Sequence, residues 1–308
     1  MTVLGFDTSN YTTSVAAFDG VQGWNVSRLL DVAAGTLGLR QSDALFSHIK
    51  RLPELTDRLF SDIGTVRLSA IGASTRPRAV EGSYMPCFLA GSSQAEVLSH
   101  ALGVPLYAFS HQQGHIAASL WSSGHMELMD KPHLAWHLSG GTTELLYVSP
   151  EGVSVHAEKI GGTTDISAGQ LIDRTGKLLG LPFPAGKVLD ALSRDAENDD
   201  FFRVKVKETE FSLSGVQNQV ERYHGTPAQT ARFALQTLID AILRATKNAL
   251  KRYPECAVVF AGGVASNSML RERCGAIPAV FCPPQYATDN ALGIAVLTWR
   301  ALNAANGL

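Results

Sequence analysis

The chain has 308 residues, 45% of them hydrophobic, which exceeds one ordinary core and fits two lobes. Its 26 Lys and Arg against 28 Asp and Glu give a net charge of −2, so any nucleic-acid binding must come from a local basic patch. Four cysteines without paired C-x-x-C spacing, together with no long apolar stretch and no leader, predict a cytoplasmic protein with no membrane partner.

The first half of the sequence begins with a predicted β-hairpin. Residues 4–20 place β-branched and aromatic residues on both sides of a Thr/Ser/Asn turn. Hydrophobic periodicity then predicts, in order, an amphipathic helix, a strand, a helix and a strand over residues 42–63, 68–74, 92–102 and 104–109. This alternation predicts an α/β lobe.

The second half repeats this plan. Residues 134–152 align with the first hairpin, matching Ser9 with Ser139 and Thr13 with Thr143. Helices are predicted around residues 165–179, 186–196 and 228–251, followed by a strand over 256–261 and a last helix from residue 290. We therefore predict an N-terminal lobe over residues 1–109, completed by the C-terminal helix 290–306, and a second lobe over residues 110–289.

The predicted fold class is α/β with two lobes, each containing a mixed sheet that is opened by a β-hairpin and flanked by helices. This arrangement matches the architecture of actin, the sugar kinases and Hsp70. The match predicts a nucleotide in a cleft between the lobes. The alternative is a pair of ordinary doubly wound domains whose Ser/Thr/Gly turns are alike by coincidence.

Two motifs point to a metal ion beside a phosphate. His111 and His115, four residues apart on a helix, would lie on one face and share a divalent ion. The turn at residues 139–143, Ser-Gly-Gly-Thr-Thr, offers backbone N–H groups to an anion. With nine histidines in the chain the spacing alone is a weak signal, and a helix start capped by Ser110 is the alternative interpretation.

Later segments add candidate ligands. Gly262 and Gly263 follow an apolar strand, where they permit close approach of a ligand or simply form a tight turn. Asp289 is placed to give the ion an anionic third ligand, or to cap the final helix. Asp173 and Asp190 are candidates for binding ribose or substrate hydroxyls, or else a surface charge and a first-turn acid.

Seven segments, in this order, resemble the TsaD-type tRNA threonylcarbamoyladenosine transferase family, formerly called glycoproteases, within the actin/Hsp70-like ATPase superfamily. They span nearly the whole chain, at residues 5–9, 111–115, 139–143, 173–181, 211–215, 261–267 and 288–290.

The resemblance implies a metal ion, iron or zinc, held by His111, His115 and Asp289. It also implies that ATP or threonylcarbamoyl-adenylate binds at the second hairpin turn and in three later segments. The implied nucleotide-binding residues are Leu138, Ser139, Gly140, Gly141, Thr142, Asp173, Gly186, Asp190 and Asn267. The implied acyltransferase reaction moves a threonylcarbamoyl group from threonylcarbamoyl-adenylate to the adenine beside the anticodon of tRNA, with the help of partner subunits. It identifies no catalytic acid or base.

The chain departs from the family pattern mainly in its first lobe. Tyr11 and Thr12 replace two acids of the hairpin turn, and Gln217 replaces a lysine in the second lobe. These departures suggest a diverged paralogue. Two alternatives to tRNA modification therefore stay open: a carbamoyl transferase with another acceptor, and a non-catalytic ATP-binding subunit that forms a heterodimer with a related actin-like protein through the first lobe.

Overall fold

The computed structural model describes residues 1–9, 11–31, 39–286 and 290–307. In these residues, twelve strands are present: β1 (Thr2–Asp7), β2 (Thr12–Phe18), β3 (Gly23–Leu29), β4 (Leu68–Arg76), β5 (Leu106–Ser110), β6 (His133–Leu138), β7 (Thr143–Glu151), β8 (Ser154–Thr163), β9 (Val206–Lys207), β10 (Glu210–Phe211), β11 (Val258–Ala261) and β12 (Ala279–Phe281). The same ranges contain nine α-helices: α1 (Gln41–Ile63), α2 (Leu89–Leu102), α3 (His111–Ser123), α4 (Ala168–Leu178), α5 (Gly186–Ser193), α6 (Ser214–Glu221), α7 (Pro227–Arg252), α8 (Ser268–Arg273) and α9 (Leu292–Ala305).

The chain forms two compact units. One contains residues 1–131, 149–156 and 289–308, and the other contains residues 132–148 and 157–288. Each unit contains one mixed sheet with helices, which confirms the predicted α/β class. None of the helices in the described ranges combines the length and the apolar character that a membrane crossing requires.

The first unit is built on a five-stranded sheet in the order β3-β2-β1-β4-β5. Strand β1 pairs antiparallel with β2, the predicted hairpin, and parallel with β4, which in turn is parallel to β5. Every residue of β2 is buried, as is β1 after its first residue, because helices cover the sheet. The apolar core contains Leu4, Phe6 and Ile71 from the sheet and Leu59 from α1.

Helix α9 lies directly on this sheet. Gly5 has no side chain where α9 passes, and a Cβ there would lie 2.7 Å from the backbone nitrogen of Ala295. On its other side α9 packs against α3, where a Cβ on Gly293 would meet the backbone of Gly114. Glycines at these crossings allow the backbones to approach closely, so the end of the chain is part of the first unit.

The second unit contains a seven-stranded sheet in the order β12-β11-β6-β7-β8-β10-β9. Its first five strands repeat the order found in the first unit, with β6 and β7 as the antiparallel hairpin and β11 and β12 parallel to β6. Trp136 and Phe260 are fully buried in the core, and the indole nitrogen of Trp136 donates a 2.8 Å hydrogen bond to the hydroxyl of Thr246 on α7. The hairpin thus sits centrally in each sheet.

The division of the structure differs from the predicted boundary after residue 109. Helix α3 belongs to the first unit because it packs against α9. Residues 149–156 also return to that unit, where the Gln113 side chain donates to the carbonyl of Val155 at 2.9 Å. The sequence does not predict β9, β10, β12, α6 and α8, which have two to eight residues and so offer few repeats of any period.

Candidate functional site

Helix α3 begins with a complete capping box. The Ser110 hydroxyl accepts from the backbone N–H of Gln113 at 3.2 Å, and the Gln113 side chain accepts from the backbone N–H of Ser110 at 2.9 Å. The capped start predicted as an alternative is therefore present. It does not compete with a ligand role, because the cap leaves His111 and His115 on one face of the helix.

The two histidine rings converge. Their centroids are 4.2 Å apart at an interplanar angle of 75°, and the Nε2 atom of His115 lies 2.8 Å from the Nε2 atom of His111. Two nitrogens at this distance share one proton in a hydrogen bond, so one of them presents its lone pair. Both Nε2 atoms point to the same place, which is the arrangement that two imidazole ligands of one ion need.

A buried carboxylate orients the first of these rings. Asp7, only 2% exposed at the end of β1, places Oδ2 at 2.6 Å from Nδ1 of His111. Its other oxygen accepts from the Ser74 hydroxyl at 2.8 Å and from the backbone N–H of Ser9 at 3.1 Å. A carboxylate that accepts from Nδ1 keeps the proton on that nitrogen and leaves the lone pair on Nε2, facing His115.

This donor set fits two ligands of a divalent metal ion. Neutral imidazole nitrogens with a carboxylate behind one ring are a common pattern in zinc and iron sites. The predicted third ligand, Asp289, lies outside the described residues. In the ranges that are described, no group of three or more His, Cys, Asp or Glu side chains is arranged to hold a metal ion.

The second hairpin turn offers backbone donors. The backbone N–H of Ser139 donates to the carbonyl of Thr142 at 2.8 Å, while the Ser139 hydroxyl accepts from the backbone N–H of Thr142 at 3.0 Å. The N–H groups of Gly140 and Gly141 donate to no other residue among those described. A Cβ at either glycine would meet open space, so packing within the protein does not require glycine there. Glycines there leave the backbone of the turn open to close approach.

The start of α4 is fastened to this turn. The hydroxyl of Ser167, which caps α4, donates to the carbonyl of Gly140 at 2.5 Å. The backbone N–H of Gly169 donates to the carbonyl of Ser139 at 3.3 Å, and a Cβ on Gly169 would lie only 2.5 Å from the Cα of Gly140. The turn and the helix N-terminus therefore form one fixed element, and a helix N-terminus favours an anion.

Asp190 fastens the loop after β11. Its Oδ1 accepts from the Asn267 side chain and from the Ser268 hydroxyl, both at 2.9 Å, and its Oδ2 accepts from Arg194 at 3.2 Å. Asn267 in turn caps α8 by accepting from the backbone N–H of Leu270 at 3.0 Å. Asp190 is 9% exposed, so in this structure it positions Asn267 rather than facing solvent.

Asp173, on α4, also holds a loop in place through its carboxylate. Its Oδ1 accepts from the backbone N–H of Ala185 at 2.9 Å, which fixes the loop that leads to Gly186 at the start of α5. Among the predicted residues, the structure thus places the nucleotide-binding set in the second unit and the histidine pair in the first.

Sequence reasoning did not assign Asp7 or Ser74 to the site. Asp7 lies in the opening segment at residues 5–9, where it was considered only as part of a hairpin. The ordinary signal that would find it is a lone acid in an otherwise apolar strand, since a buried carboxylate needs a partner. That partner, His111, is 104 positions away along the chain.

Comparison with known proteins gives consistent results. The TsaD family profile, tRNA N6-adenosine threonylcarbamoyltransferase, matches residues 38–296. The Streptococcus suis (strain 05ZYH33) protein of that name is 34% identical over 234 residues, which cover 71% of this chain and 68% of the relative. The Streptococcus pneumoniae (strain Taiwan19F-14) protein of that name is 32% identical over 330 residues, covering 99% and 93%.

Solved structures share the fold at low sequence identity. A phosphate- and nucleotide-bound HypF aligns with a TM-score of 0.62 at 14% identity, covering 99% of this chain and 47% of the HypF chain. The ROK hexokinase of Thermus thermophilus aligns with a TM-score of 0.57 at 15% identity, covering 99% of this chain and 100% of the hexokinase. These likenesses confirm the predicted architecture of the sugar-kinase and actin group.

Proposed function

The chain belongs to the tRNA N6-adenosine threonylcarbamoyltransferase family, and from this premise we propose that it moves a threonylcarbamoyl group from threonylcarbamoyl-adenylate to the adenine beside the anticodon. The family is one of transferases that modify tRNA. The proposal adds the donor, the metal and the residues that hold them. A tRNA substrate also supports a cytoplasmic location for the reaction.

We propose His111, His115 and Asp289 as ligands of a divalent ion, iron or zinc. The observation that carries this proposal is the convergence of the two Nε2 atoms, 2.8 Å apart, in the segment that matches the family's H-x-x-x-H motif. Such an ion, when bound, supplies positive charge that offsets the charge developing on the leaving phosphate. Asp7 keeps the His111 ring in the orientation that a ligand needs.

The donor nucleotide, as threonylcarbamoyl-adenylate or ATP, is proposed to bind in the second unit. The N–H groups of Gly140 and Gly141 would bind phosphate oxygens, supported by the N-terminus of α4 behind the turn. The other members of the proposed set are Leu138, Ser139, Thr142, Asp173, Gly186, Asp190 and Asn267. Asp190 contributes by fixing Asn267, and Asp173 by fixing the loop before Gly186.

A reconstitution tests the proposal. Purified protein is incubated with threonylcarbamoyl-adenylate and unmodified tRNA, alone and with candidate partner subunits, and the nucleosides are analysed by mass spectrometry. We expect threonylcarbamoyladenosine, and we expect a chelator to abolish it and added metal to restore it. Absence of the product under every combination would overturn the proposal.

The altered first hairpin favours one alternative, a non-catalytic subunit that forms a heterodimer with a related actin-like protein. Tyr11 is half-buried and Thr12 is buried at the start of β2, and neither side chain carries the carboxylate that the family pattern has there. This alternative predicts metal and nucleotide binding without turnover. The same reconstitution distinguishes it, because addition of a catalytic relative would then be required for product.

A further inference from the structure

The hairpin formed by α4 and α5 exposes a row of cations. Arg174 and Lys177 lie three residues apart on α4, hence on one face, and Lys187 lies in the first turn of α5; all three are exposed. Residues 174–188 contain no Asp or Glu. Neither lysine forms an ion pair in the part of the chain that the structure describes. Their charge therefore faces solvent without a neutralising neighbour.

An aromatic residue lies between Lys177 and Lys187 in the sequence. Phe183 is 84% exposed at the tip of the loop joining the two helices. The loop is fixed at both ends, since the backbone N–H of Leu181 donates to the carbonyl of Gly176 at 2.8 Å and that of Ala185 donates to Asp173 at 2.9 Å. A large exposed ring on an anchored loop is available for contact with a partner.

A neighbouring amide orients the third cation without removing its charge. The Arg174 guanidinium donates to the side-chain oxygen of Gln217 at 2.6 Å, and the Gln217 amide donates to Glu221 at 2.9 Å. A cation in place of Gln217 would repel the guanidinium at this distance. The uncharged Gln217 side chain therefore fixes the direction of the Arg174 guanidinium and leaves its positive charge in place.

We propose that this α4–α5 surface, made of Arg174, Lys177, Phe183 and Lys187, binds the anticodon loop of tRNA. Exposed cations that form no ion pair suit phosphates, and a flat exposed ring suits an unstacked base of a single-stranded loop. The inference rests on the proposed function. It also extends that function. Residues 173 and 186 of the proposed nucleotide-binding set lie in the same helical hairpin, so the acceptor tRNA would bind beside the donor nucleotide.

The charge contribution is tested by tRNA binding at several salt concentrations, with the full chain and any partner subunits that the wild type requires. The variant combines Arg174→Gln, Lys177→Gln and Lys187→Gln. A matched control makes the same change of charge at the exposed end of α7, with Lys247, Lys251 and Arg252 replaced by Gln. We expect the slope of log affinity against log salt to fall by about 2 to 3 in the variant only.

The aromatic contribution is tested at one position. Phe183→Ala should weaken tRNA binding by roughly fivefold to a hundredfold, the usual range for one stacked base, whereas Phe183→Tyr should leave it within about twofold. Phe183→Leu keeps an apolar side chain without a π face, so it should bind as weakly as the alanine variant. Because the Phe183 side chain is 84% exposed, none of the three substitutions should change the thermal unfolding temperature.

Other outcomes overturn the inference. If wild-type protein binds and modifies tRNA while both triple variants lose equal affinity, or neither loses any, the surface is not the tRNA site and the proposed function stands. If the variants lose affinity for threonylcarbamoyl-adenylate instead of tRNA, the cations belong to the donor site. If Phe183→Leu keeps tRNA binding, the ring contacts an apolar partner. If wild-type protein neither binds nor modifies tRNA, the proposed function fails together with the inference.

Discussion

Replacement of Asp7 by asparagine isolates the role of one oxygen. An asparagine side chain keeps an oxygen at the Oδ1 position, where it still accepts from Ser74 and from the backbone of Ser9. Only Oδ2, which lies 2.6 Å from Nδ1 of His111, becomes an N–H donor. Two donors cannot face each other, so His111 must move its proton to Nε2 or turn its ring away.

The expected loss follows from this geometry. A proton on Nε2 of His111 removes the lone pair that we propose as a metal ligand. Moving that proton away before the ion binds costs binding free energy. Loss of a carboxylate behind a ligating imidazole typically weakens metal binding by about 10- to 100-fold. This corresponds to roughly 1.4 to 2.8 kcal/mol of binding free energy at 25 °C.

The assay is a direct metal titration rather than turnover. Zinc binding is followed by calorimetry, and cobalt binding by the absorption of the bound ion, in wild type and in Asp7→Asn. Ser74→Ala is the matched control, because it removes a 2.8 Å hydrogen bond from the same carboxylate but leaves the contact with His111 intact. We expect the control to change metal affinity much less than Asp7→Asn does, because the carboxylate oxygen that faces His111 stays in place.

Equal metal affinity in wild type and Asp7→Asn would refute this reasoning, since it would mean that the carboxylate does not set the ring of His111. Equal losses in Asp7→Asn and Ser74→Ala would also count against it, because they would indicate a general loosening of the hairpin. Circular dichroism of both variants separates loosening from a local effect.

Three further predictions concern stability and the nucleotide unit. Burial, the largest cause, lowers the pKa of His48 from 6.5 to about 4, so the unfolded chain binds this proton first as the pH falls. Between pH 8 and pH 5, this residue should therefore lower the free energy of unfolding by about 2 kcal/mol. Urea titrations should show a smaller drop in His48→Gln, and an unchanged drop in the exposed control His100→Gln. Gly262→Ala should destabilise the protein by about 1 to 3 kcal/mol in thermal unfolding, because Gly262 has a φ of +93° and an added Cβ would strike the carbonyl at the end of β6. Gly263→Ala is the control, since a Cβ there meets open space and should not destabilise the protein. Asp190→Ala should lower nucleotide affinity and should also lower the free energy of unfolding by about 1 to 3 kcal/mol, since Asn267 and Ser268 lose their acceptor. Unchanged nucleotide affinity and unfolding temperature in calorimetry would contradict this.

The sequence predicts much of the fold because its long elements have strong periodicity. The amphipathic helix expected at residues 42–63 is α1 at Gln41–Ile63, and the helix expected at 228–251 is α7 at Pro227–Arg252. Both hairpins are present with four residues between their strands, as the internal match of Ser9 with Ser139 indicates. Local patterns specify such elements without reference to the rest of the chain.

What the sequence did not predict depends on contacts between distant residues. The boundary of the first lobe depends on α3 packing against α9, where Gly114 and Gly293 meet across 179 positions. The contact of Asp7 with His111 spans 104 positions and also leaves no periodic trace. Asp190 was predicted from its motif, but that it holds Asn267 was not, because a motif names a residue type and not its hydrogen-bond partner.

The order of synthesis has a consequence for assembly of the first unit. Its sheet is complete by residue 110, yet the helix that lies against Gly5 on that sheet, Leu292–Ala305, follows the second unit in the chain. Helix α3, which carries the histidine pair, also packs on this final helix. During synthesis, the second unit can therefore fold while the first still exposes the apolar face that residues 292–305 later cover.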